Sequence, residues 1–214
     1  MPQISEVVKT VSSSPFVQGK ESSFNVAIND LKSSKDCETR LKAIDSLGNL
    51  AKQGKQISRV VDALIDTLGD KTIEPIVASL LVEIGENHPK IVVNKLSEAL
   101  EDSNSEIDSI ETMASVLGKI GPDARKSVSA LIEAYDDARD SSTEATIIEA
   151  IVEIDEGGIS RLVRRLGDAQ RIETLANYLE SLGYRYAHLG LTPDDDDLIE
   201  NRFNNYDGWF PPVD

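Results

Sequence analysis

Apolar residues return along this chain at three- and four-residue spacing, and the stretches they define close on a repeated pattern of letters. Ile4, Val7, Val8 and Val11 fall at i, i+3, i+4 and i+7, as do Phe24, Ala27, Ile28 and Leu31. Further on, Ile57, Val60, Val61, Leu64, Ile65 and Leu68 share one face, with Arg59, Asp62 and Asp66 opposite. That spacing predicts amphipathic helices. One set of helices closes at Leu47-Gly48-Asn49-Leu50-Ala51, Leu81-Val82-Glu83-Ile84-Gly85, Leu117-Gly118-Lys119-Ile120-Gly121 and Ile151-Val152-Glu153-Ile154-Asp155, stepping by 34, 36 and 34 residues. A second set closes at Leu68-Gly69-Asp70, Leu100-Glu101-Asp102, Tyr135-Asp136-Asp137 and Leu166-Gly167-Asp168, stepping by 32, 35 and 31. A recurrence of that length means stacked helix pairs, and the expected fold is an all-α solenoid.

Breakers separate the paired helices: Lys52-Gln53-Gly54, Asn87-His88-Pro89, Gly121-Pro122-Asp123 and Glu156-Gly157-Gly158. Gly stops a helix in the left-handed region, and Pro opens the next where its missing amide costs little. Residues 1–35 read as N-terminal capping helices, split by Ser12-Ser13-Ser14-Pro15, and 36–168 as four repeats. The repeats run from about Asp36 to Asp70, Lys71 to Asp102, Ser103 to Asp137 and Ala138 to Asp168, with equivalent anchors at Leu64, Leu96, Leu131 and Leu162. Residues 169–191 hold a divergent capping helix, and 192–214 form an acidic, aromatic C-terminal tail. The end units of a solenoid differ from the inner ones because they must cover the core while facing water.

The run Asp36-x-x-x-Arg40-x-x-Ala43-x-x-x-Leu47-Gly48-x-Leu50-Ala51, with Leu68-x-Asp70 downstream, resembles HEAT-like repeats of the short, phycobilisome-lyase type. The resemblance covers about residues 36–168 and implies a right-handed superhelix of antiparallel helix pairs, related to the armadillo type, whose second helices line the concave side. It implies a non-catalytic scaffold or adaptor for other proteins; a second implied role is a helper subunit of a bilin-lyase-like complex, which would need an apolar cleft. The Arg40 position becomes Glu74, Ile110 and Glu144 in the following units, so a family-type Arg-to-Asp ladder is interrupted and apolar packing is expected to carry the stack.

Charge narrows the partner. The 214 residues carry 22 Lys and Arg against 38 Asp and Glu, a formal net charge of -16. Residues 1–60 hold 9 basic and 6 acidic side chains, 61–160 hold 7 and 22, and 192–214 hold 1 and 7. A duplex-binding surface needs Lys and Arg to displace counterions from phosphate, so nucleic acid is a poor fit. Two readings of the acidity remain: solubility of an elongated body, or attraction of a basic protein. Lys, at 12, still exceeds Arg, at 10, which is not the balance of a salt-adapted surface. The single cysteine, Cys37, permits no disulfide within the chain and reads as a helix-start or partly buried residue. One cysteine gives no sign of an oxidising compartment, so a cytoplasmic location is expected; with no run near the ~18 apolar residues that span a bilayer, no membrane insertion is expected.

Two residues beyond the four anchors stand Asp66, Glu98, Glu133 and Arg164. If the second helices line a concave side, as the resemblance implies, these make an acidic stripe running into an arginine patch of Arg161, Arg164 and Arg165, with Arg171 nearby. Such a stripe would meet a basic protein surface, with Arg164 and Arg165 or the tail fixing register. The patch also offers a nucleic-acid-associated alternative, or a solvated face paired with neighbouring carboxylates. In the tail, Trp209 and Phe210 lie among acidic residues; they either seal the last unit or form a recognition segment.

Catalytic and metal chemistry find little material. His88 is followed by Pro89 and His188 by Leu189, so neither belongs to the His-Glu pairs of HEAT-repeat hydroxylases. Asp194-Asp195-Asp196-Asp197 is contiguous and lacks the alternation and Gly of a calcium loop; after Thr192-Pro193 it reads as a helix start. No cofactor, metal or catalytic residue is expected. Asp70, Asp102, Asp137 and Asp168 are expected to accept hydrogen bonds from the free amides of the helix that follows each.

Overall fold

The computed structural model describes residues 15–102, 107–138, 140–155, 157–166 and 169–183. Among these residues every regular element is helical: α1 (Pro15–Ser33), α2 (Cys37–Lys52), α3 (Ile57–Ile65), α4 (Glu74–Asn87), α5 (Pro89–Glu101), α6 (Ile107–Ile120), a 3₁₀ segment (Gly121–Ser127), α7 (Val128–Asp137), α8 (Ser141–Ile154), α9 (Gly158–Leu166) and α10 (Ala169–Ser181). The chain is therefore all-α there. The first amphipathic stretch, the tail with Trp209 and Phe210, Asp168, His188 and the Asp194–Asp197 run lie outside the described residues.

Alternate helices pack on one another. α2, α4, α6 and α8 follow in one row, α3, α5, α7 and α9 in a second, and α1 leans on α2. A single apolar cluster runs between the rows from Phe24 to Leu179. The four anchors inferred from the repeat, Leu64, Leu96, Leu131 and Leu162, are fully buried on successive helices of the second row. Each contributes about 1.5–3 kcal/mol relative to leaving it in water. Ile110, which replaces the repeat arginine, is buried as well, so at that position an apolar contact takes the place of a charged one.

Punctuation follows the letters with one difference. Gly54 and Gly121 adopt φ of 70°, the left-handed stop that glycine permits without a Cβ penalty. His88 alone separates α4 from α5, and Pro89 begins α5. Gly121-Pro122-Asp123, read as a turn, opens a 3₁₀ segment of seven residues instead. Of the two readings of Cys37 the helix-start one holds: it is the first residue of α2, and it is exposed.

Spacing within the first row is set by residue size. Gly118 on α6 faces Ala150 on α8 so closely that an added Cβ would lie 3.0 Å from the Ala150 Cα. Gly48 occupies the equivalent place on α2, and Leu80 on α4 stands where Ala150 stands on α8; there an added Cβ would meet the Leu80 side chain, its Cδ1 nearest at 3.1 Å. Backbone cannot yield as a leucine methyl can. Gly118→Ala is expected to lower stability by about 1–2 kcal/mol, overpacking outweighing helix propensity. Gly48→Ala should be neutral or stabilise by up to about 1 kcal/mol. Urea unfolding of the two variants beside wild type checks the contrast; equal shifts would mean that the two seams are equally close.

Candidate functional site

The second row presents the residues singled out by the repeat register. Asp66, Glu98, Glu133 and Arg164 are all exposed, each two positions beyond a buried anchor. The register is as inferred, but the charges are not bare. Asp66 pairs with Lys32, which reaches it from α1. Lys95 on α5 sits 3.2 Å from Asp62 on α3 and 3.3 Å from Glu98 on its own helix. The two carboxylates, Asp62 foremost, hold the Lys95 ammonium above its ordinary pKa. Among the described residues no cation pairs with Glu133. The acidic stripe is thus partly neutralised at its N-terminal end and open at its centre.

The arginine patch is largely engaged. Arg161 donates to Asp155 at 2.9 Å, and Arg125 reaches the same carboxylate at 3.4 Å. Arg165 donates to Asp136 at 3.0 Å, joined there by Arg171 at 3.3 Å, whose guanidinium also stands 5.3 Å from the centre of the Tyr135 ring. These pairs tie α9 and α10 to α7 and α9 to the C-terminal end of α8. Arg59, on the outer side of α3, lies 4.4 Å from the Phe24 ring centre and donates to Asn25 at 3.2 Å, so it too holds two elements together.

Sequence reasoning misplaced some of the capping aspartates. Asp70 accepts from the Thr72 amide at 2.9 Å and hydroxyl at 2.6 Å, in the turn before α4 rather than at the free amides of that helix, whose N-cap Ile73 takes no side-chain bond; Arg40 donates to Asp70 at 2.6 Å through Nη1 and to the Leu31 carbonyl at 3.1 Å through Nε. Asp137 is the last residue of α7, and the cap of α8 is Asp140, which accepts from Thr143 N at 2.9 Å. Asp36 caps α2 in the same way through Thr39. An Asp-x-x-Thr signature, in which both the threonine amide and its hydroxyl donate to the aspartate, marks both helix starts. Where the next unit carries Glu74 in place of arginine, that buried carboxylate accepts from Thr112 on α6 at 2.5 Å.

A feature that the repeat register did not indicate lies in the first row. Between α2 and α4 two adjoining depressions of about 240 and 370 Å³ form one groove. Gly48, Leu80, Lys52 and Glu83 line both parts, Ile76 and Asp45 one end, and His88 the other. Lys52 and Glu83 pair across it at 2.8 Å. The sequence signal, Leu80 standing where Ala150 stands two units on, is visible only once the seam is seen.

Among the described residues no group of three His, Cys, Asp or Glu could hold a metal ion, and no helix is long and apolar enough to cross a membrane. No protein-family model matches the chain, no curated protein matches it, and no solved structure matches its fold.

The aspartates give a pH dependence. Hydrogen bonds from the Thr72 hydroxyl and amide, then Arg40, lower the Asp70 pKa from the usual 3.8 to about 2. Thr39 and Thr143 lower those of Asp36 and Asp140. A carboxylate whose pKa falls on folding contributes stability that is complete above its unfolded value and is lost as pH falls through the folded one. Asp70→Asn should therefore be less stable than wild type at neutral pH, with the gap closing between about pH 4 and 2. Thermal melts across that range test it; a gap unchanged at pH 2 would show that Asp70 acts through shape alone.

Proposed function

We propose that this chain is a right-handed α-solenoid of HEAT-like units that serves as a non-catalytic protein-binding scaffold in the cytoplasm. The observation supporting it is the register of the second row: equivalent leucines are buried on successive helices, and Asp66, Glu98 and Glu133 emerge two residues beyond them. Carboxylates repeated at one register along stacked helices suit an elongated basic surface on a partner. Arg164 and Arg165 terminate the acidic stripe and bound its register, and Trp209 and Phe210 offer a second anchor. The engagement of Arg161 and Arg165 with Asp155 and Asp136 weighs against a nucleic-acid role, since those guanidinium groups are already matched.

Affinity capture from the native cell's lysate tests this, with wild type beside the triple variant Asp66→Lys, Glu98→Lys, Glu133→Lys and mass spectrometry of what is retained. The expected result is a basic client that wild type holds at low salt, that salt releases, and that the variant fails to hold although it stays folded by circular dichroism. Capture of the same set by both proteins would reduce the stripe to a solvated face.

A further inference from the structure

We propose that the groove between α2 and α4 is a docking channel for an extended segment of a partner protein carrying alternating aliphatic and cationic side chains. The proposal rests on the protein-binding reading above and moves the specific contact from the second row to the first.

The groove is a built-in gap. At equivalent places in the repeat, the α6/α8 seam closes by Gly118 against Ala150, while at the α2/α4 seam Gly48 meets the Leu80 side chain. A leucine where a closed seam carries alanine holds the two helices apart. It also leaves its own side chain half-buried beside Ile76, one of three large apolar side chains exposed among the described residues, at 43%. An exposed aliphatic floor is what a partner's apolar side chains cover.

The rims choose the occupant. Asp45 stands on the α2 side and Glu83 on the α4 side, and Lys52, the last residue of α2, pairs with Glu83. Among the described residues no cation pairs with Asp45, so the lining carries one uncompensated negative charge. An arginine or lysine satisfies it while laying its methylene stem on Ile76 and Leu80. Measured along α4 from Ile76 to His88, the groove is about 18 Å long at 1.5 Å per residue. At about 3.3 Å per residue that length holds five or six residues of extended chain. Leucines at alternate positions would face the floor and cations the rims.

The experiment is a titration of the full-length, isotope-labelled protein with a capped peptide having a Leu-Lys-Leu-Arg centre, followed by amide shifts, beside a charge-reversed twin with a Leu-Glu-Leu-Asp centre. Shifts are expected on residues 44–52 and 76–88, with none from the twin. Leu80→Ala, which recreates the Gly–Ala seam, should weaken binding at least tenfold. Asp45→Arg, a surface change that leaves packing intact, should weaken it by a similar factor and separates loss of the groove from loss of fold. Three outcomes would overturn the proposal. Shifts confined to α3, α5 and α7 that vanish in the Asp66, Glu98, Glu133 triple variant but persist in Leu80→Ala would leave the scaffold reading standing and remove the groove from it. Equal affinity of wild type and Asp45→Arg would show that the rim does not select. Self-association of the protein that Leu80→Ala abolishes would seat a second copy in the groove instead.

Discussion

A helix packed in two rows must bury three flanks, against its predecessor, its successor and the opposite row, and the distance between successive helices governs the rest. Interaxial distance depends on the side chains at the contact, and a change from alanine to leucine moves it by ångströms. The first row uses both extremes. Gly118 against Ala150 brings α6 and α8 into near backbone contact, whereas Gly48 against Leu80 keeps α2 and α4 apart and leaves a groove with an aliphatic floor. One repeat position therefore serves as cement in one unit and as a wedge in another. The difference costs the fold little, because the core between the rows remains continuous from Phe24 to Leu179.

Polar contacts obey the same spacing. Lys32 to Asp66, Lys52 to Glu83, Arg40 to Asp70 and Lys95 to Asp62 each join residues about one repeat apart in sequence, so they bridge neighbouring elements rather than lace single helices. Several of the carboxylates that make the chain acidic are thereby given local work. Asp36 and Asp140 cap helices, Asp70 holds the turn before α4, Asp136 and Asp155 gather arginines, and Glu74 is buried against Thr112. Contacts of this exposed kind fix how one unit sits on the next more than they add to stability.

Much of this was legible from the letters. The recurrence of 31 to 35 residues located the anchors, because burial of one helix face is a periodic demand and Leu64, Leu96, Leu131 and Leu162 meet it on equivalent turns. Their exposed neighbours followed from the same register. Capping was legible in kind but not in place: the Tyr135-Asp136-Asp137 ending and an Asp-x-x-Thr start lie three residues apart at Asp137 and Asp140, and only backbone direction shows which carboxylate faces free amides. The cations opposing Asp66 and Asp62 were hidden because pairs 34 and 33 residues apart leave no local pattern. The groove was hidden for a related reason: it arises from the size of two residues on different helices, and neither Gly48 nor Leu80 is unusual in its own helix.

Charge and groove divide the labour of recognition in the proposed scaffold. A diffuse excess of carboxylates raises the rate of encounter with a basic protein but reads little about it, since any surface of that sign is drawn in. A groove of five or six residues with an aliphatic floor and one unmatched carboxylate reads sequence, because a bulky or acidic side chain at the wrong position leaves a buried polar group unpaired. The two features sit on different rows, so a partner could be attracted along the second row and held at the first. The neutralisation of Asp66 by Lys32 favours that division: it weakens the stripe at the N-terminal end, where the α2/α4 groove also lies, and leaves selection there to shape.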